Sequence, residues 1–78
     1  MFLKRTKVVR PIAEGAVFRR TVYGRIVETA RVLSVTPDGA GIPHVQFSLQ
    51  ADLPDAMEEM RTLALSTFFE TFRERVGA

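Results

Sequence analysis

Hydrophobic and β-branched positions gather in three stretches of the chain. Ala16-Val17-Phe18-Arg19-Arg20-Thr21-Val22-Tyr23 is rich in β-branched and aromatic residues and breaks at Gly24, which predicts a first strand. Arg25 to Thr36 is a longer run of the same kind and predicts a second. Its apolar set changes phase, with Ile26, Ala30 and Val32 on one face and Val27, Leu33 and Val35 on the other, so the strand is expected to bend or bulge. Thr36-Pro37-Asp38-Gly39-Ala40-Gly41 then supplies a fixed φ and positions that tolerate positive φ, and the chain should reverse there. Beyond it Val45, Phe47 and Leu49 alternate with His44, Gln46 and Ser48, the period of a half-buried strand. The second and third strands thus form an antiparallel hairpin.

From Asp52 the pattern supports two readings. In one, a long helix from about 53 to 76 starts at an Asp52 N-cap, carries Met57, Met60, Ala64, Phe68, Phe72 and Val76 on one face and stops at Gly77. This gives an α+β domain with the helix laid on a β-hairpin. In the other, a fourth strand over about Glu59 to Leu65 is followed by a short helix capped by Thr67, with Glu70 completing a capping box and Phe68, Phe69, Phe72 and Val76 as its stripe. The second reading is preferred, because two or three strands alone bury too little core. The expected fold is mainly β: a small SH3-like barrel or curled antiparallel meander with a short C-terminal helix.

With 78 residues, 46% of them hydrophobic and 26% charged, the chain fits one small folded domain rather than a disordered one. Residues 1–10 read as a basic N-terminal tail and 11–78 as the domain. Charge in the first seven residues argues against a secretory signal, and no apolar stretch reaches the length of a membrane span. The chain has no cysteine, which fits a reducing compartment, so a cytoplasmic location is expected. Residues 1–33 carry eight Lys/Arg against two Glu, a net +6, whereas 34–78 carry three Arg against seven acids, a net −4. Such asymmetry can steer a polyanion to the first half or draw neighbouring copies together.

Candidate chemistry is sparse. His44 is the single histidine, so no His/Cys zinc site can form. A triad of Ser48, His44 and Asp38 fails on distance, since four residues along a strand span about 13 Å. Gly39 and Gly41 lack the spacing of a phosphate loop. Asp52, Asp55, Glu58 and Glu59 lack that of an EF-hand and read as a solvated acidic loop. No catalytic, cofactor or metal residue is expected. Two surfaces are candidates for binding: Arg19, Arg20, Arg25, Arg31, His44 and Gln46 as contacts to phosphate or acidic side chains, and Phe69 with Phe72 as an apolar anchor for a protein partner or second copy.

Three segments, Val27-Glu28-Thr29-Ala30-Arg31-Val32, Gly41-Ile42-Pro43-His44-Val45-Gln46-Phe47 and Arg61-Thr62-Leu63 with Phe68 and Phe72, resemble small uncharacterised bacterial domains of the SH3-like barrel type. The resemblance covers about residues 15–72 and implies strands in meander order with a short closing helix. It implies no activity, because such barrels host nucleic-acid, peptide and assembly functions alike. The expected function is a non-catalytic macromolecular interaction or assembly module that binds a protein or itself. A nucleic-acid-binding barrel using the basic first half is the alternative, and no membrane association is expected.

Overall fold

The computed structural model describes residues 12–76, in which five strands and one short helix enclose a single core. The expected basic tail, residues 1–10, lies outside the described residues, as does Gly77. Strands β1 (Val17–Val22), β2 (Ile26–Pro37), β3 (Pro43–Ala51) and β4 (Glu59–Ala64) run as an antiparallel meander, helix α1 covers Leu65–Thr71, and β5 (Glu74–Val76) returns beside β1. The sheet order is β4-β3-β2-β1-β5. The fold is therefore mainly β, as the alternation of residues 44–49 and the β-branched runs before it predict.

The β1–β2 hairpin turns at Val22–Arg25, where the Arg25 N–H donates to the Val22 carbonyl at 3.2 Å. Both central residues have positive φ, 54° at Tyr23 and 72° at Gly24, the sense that matches the twist of the flanking strands. Glycine adopts that region without strain; tyrosine does not. The β2–β3 connection is held by Asp38. Its Oδ1 accepts from the Ala40 N–H at 2.8 Å and the Ile42 N–H at 3.0 Å, while its own N–H donates to the Ile42 carbonyl at 2.9 Å. Gly41, at φ 82°, completes the reversal.

The expected irregularity in β2 is a bulge. Val32 pairs with Phe47 and Ser34 with Gln46, which leaves Leu33 as an extra residue. The extra residue moves Val35 onto the side of Ala30 and Val32, so Val35 packs against the core rather than facing away from it with Val27. One face of the sheet thereby collects Phe18, Ala30, Val32, Val45, Phe47 and Leu49, all buried, and α1 adds Phe68 with Phe72 at its C-cap. The Phe68 ring lies 5.3 Å from Phe18 and 5.0 Å from Phe47, both edge to face, so one helical side chain joins β1 to β3 through the core.

The C-terminal half follows the preferred reading, a strand and then a short helix, and corrects two details of it. Residues 59–64 are a strand, so the long helix over 53–76 does not form; Leu63 pairs with Val45 and Arg61 with Phe47. The helix starts at Leu65, two residues before the expected Thr67 cap, and its N-cap residue Ala64 makes no side-chain capping bond. Thr67, being inside the helix, instead accepts at its carbonyl from Thr71 Oγ1 at 2.8 Å. Phe68 within the helix and Phe72 at its C-cap both face the sheet and are buried. The helix then ends at Thr71, so Val76 belongs not to its stripe but to β5, opposite Val17.

Candidate protein-interaction surface

The polar residues singled out in the sequence do not form one surface. Alternation along β1, β2 and β3 puts Arg19, Arg31, His44 and Gln46 on the outer face of the sheet, away from the core. Arg20 lies on the opposite, core side. Its Nε donates to Glu28 Oε1 at 2.7 Å, and its guanidinium caps the Phe72 ring at 5.2 Å. Arg25 sits in the β1–β2 turn. On the outer face Arg19 is bound to Glu74 at 2.9 Å, which holds the guanidinium more firmly protonated and keeps the Glu74 carboxyl below its usual range. Gln46 Oε1 accepts from Ser34 Oγ at 3.4 Å, and His44 Nδ1 faces the Ile42 carbonyl at 2.9 Å. Arg31, between Val17 and Ser48, has no carboxylate within ion-pair distance among the described residues.

The apolar pair also separates. Phe72 is 2% exposed and packs on Phe47 and Phe68, so it is a core residue and not an anchor. Phe69, the next face round the helix, is 36% exposed, with its ring centroid 6.1 Å from that of Phe18. It seals the rim of the core and offers part of one ring to solvent.

Charge is distributed differently from the division into halves. Residues 12–76 carry seven arginines against nine Asp/Glu, a net −2. Lys4, Arg5, Lys7 and Arg10 supply the excess that makes the whole chain +2, and they lie outside the described residues. Three of the seven arginines, Arg19, Arg20 and Arg61, are held by Glu74, Glu28 and Glu59. A net-negative body with three of its seven arginines held by carboxylates is a poor counter-surface for phosphate.

The edge that the polar candidates do not include is β4. The strand forms one edge of the sheet, pairing only with β3. The direction of its free groups follows from the ladder. The Asp52 N–H donates to the Val27 carbonyl, and the Val32 N–H to the Ala16 carbonyl. In the regular alternation of an antiparallel sheet, Ser48 and Gln50 then bond to β2, and Phe47 and Leu49 bond to Arg61 and Glu59 of β4. The backbone groups of Met60 and Thr62 therefore point out of the edge. Around them are exposed apolar side chains: Met60 at 64%, with Met57 at 82% and Leu53 at 49% in the loop before the strand. On the core side of β4, Arg61 Nη2 and Nε bind Glu59 Oε1 at 2.8 and 3.0 Å. The signal available in the sequence was the alternation Glu59-Met60-Arg61-Thr62-Leu63, in which neither face is strongly apolar until Leu63.

Among the described residues, the groups considered for a triad are not brought together. His44 lies 3.8 Å from Asp38 but its ring faces a backbone carbonyl, and Ser48 is four residues further along the strand. Among the described residues no three His, Asp or Glu side chains are placed to hold a metal ion, and no helix is long and apolar enough to cross a membrane. An open depression of about 650 Å³ lies on the outer face between Arg19, Thr29 and Leu53. No family model matches this chain, and no curated protein or solved structure is significantly similar to it.

Proposed function

We propose that this chain is a non-catalytic protein-interaction or assembly module whose binding surface is the β4 edge and the loop before it. One observation carries the reading: an open strand edge, with outward backbone groups at Met60 and Thr62 and exposed Leu53, Met57 and Met60 beside it, on a body whose charge is net negative. An extended segment of another protein can add to that edge as a further strand, with main-chain bonds giving affinity and the methionines giving apolar contact. The SH3-like barrel resemblance belongs to the same reading and fixes no partner. A cytoplasmic location is part of it, supported by the lack of cysteine.

The rival class is nucleic-acid binding. Labelled single- and double-stranded nucleic acid titrated with the full chain at about 50 and 200 mM salt separates the two, because phosphate contacts weaken steeply over that range. The expected result is no saturable binding at either salt. Saturable binding at the lower salt that collapses at the higher would overturn the protein-binding reading.

A further inference from the structure

We propose that the partner added at the β4 edge is a second copy of this chain, paired antiparallel about a two-fold axis through Met60; the proposal rests on the protein-binding reading above. The charge order of the strand carries it. Glu59 and Arg61 flank Met60 and lie together on the core side of β4. Antiparallel pairing centred on Met60 sets Glu59 of each copy opposite Arg61 of the other, so the contact between i and i+2 within one strand is exchanged for two cross-strand ion pairs. Moving the axis one residue either way sets Arg61 against Arg61 or Glu59 against Glu59, and like charges directly opposite are unfavourable.

The backbone agrees with the same register. Met60 and Thr62 present their N–H and C=O groups outward, so Met60 exchanges both bonds with its counterpart and Thr62 reaches Glu58 of the other copy. On the outer face the two Met60 side chains, each 64% exposed in the single chain, meet across the axis. The contact is isologous, the same strand on both sides, so it closes as a dimer rather than growing into a fibre. It also covers the longer of the two edge strands, leaving on each copy the three-residue β5 and the stretch of β1 from Arg20 to Val22 that β5 does not pair.

Sedimentation of the full chain over a concentration series tests this, with E59R, R61E, their equimolar mixture and the double variant E59R/R61E alongside. The wild type should dimerise. Each single variant should raise the dimer Kd about tenfold or more, since like charges then oppose one another at both flanking pairs. The mixture should form a heterodimer, and the double variant should recover the wild-type constant. Met60→Pro, which removes an outward N–H without touching the β3 ladder, should also give a monomer. Circular dichroism confirms that each variant is folded. A wild type that stays monomeric, or a dimer indifferent to E59R and R61E, would overturn the proposal. The nucleic-acid titration decides the protein-binding reading independently, so failure of the second-copy partner is distinguishable from failure of that reading.

Discussion

Tyr23 holds a left-handed backbone, φ 54°, with its side chain 90% exposed, so no packing offsets the strain. Tyr23→Asn should therefore raise stability by about 0.5–1 kcal/mol, read as an increase in the urea midpoint with the slope unchanged. The two neighbouring phenylalanines should behave differently. Phe72→Ala empties a site inside the core and should cost about 3–5 kcal/mol, enough to unfold much of a domain this small, whereas Phe69→Ala should cost about 1 kcal/mol or less. The sequence shows three phenylalanines at helical spacing but not which face the core. That depends on where the helix begins, and the Thr67 and Glu70 pair suggests a cap that the chain does not use. Asp38 adds a pH dependence. The N–H groups of Ile42 and Ala40, with a smaller contribution from His44, hold its carboxyl below the ordinary 3.8. Its stabilising effect is complete above that value and fades as pH falls through the lowered one. Asp38→Asn should flatten the acid limb of an unfolding titration below about pH 4 while leaving Tyr23→Asn additive to it.

Strands whose pattern is set by burial are readable from the chain. β1, β2 and β3 each present a buried set at period two, and even the bulge at Leu33 announces itself as a change of phase. Elements that bury no apolar set are not. β5 has three exposed residues and exists because Glu74–Val76 bonds along β1, with the Arg75 guanidinium 5.7 Å from the Phe18 ring, so no apolar pattern marks it. β4 falls between these cases: only Leu63 and Ala64 at its end are partly buried, which is why a helical spacing through Met57, Met60 and Ala64 looked equally regular. The direction of each backbone group in β4 gives a prediction at this level. Met60→Pro should leave the far-ultraviolet spectrum mainly β, because that N–H faces outward, whereas Arg61→Pro should lose a rung to Phe47 and unfold or fray the edge.

The described body is a sheet curled over an aromatic core, with four of its seven arginines, Arg19, Arg20, Arg61 and Arg75, set against acids or aromatic rings. Composition revealed the charge asymmetry, but the division that matters falls between residues 1–11 and the rest, and only the described body shows that its own net charge is negative. The longer of that body's two edge strands is β4. Residue-resolved amide hydrogen exchange at low and high protein concentration tests its role most directly. At low concentration Arg61 and Leu63, bonded to β3, should be protected while Met60 and Thr62 exchange freely, and raising the concentration should slow Met60 and Thr62 selectively as the second copy covers them. Protection of Met60 and Thr62 that is already equal to that of Arg61 and Leu63 when dilute, or that does not change with concentration, would contradict an open edge that pairs with its own counterpart.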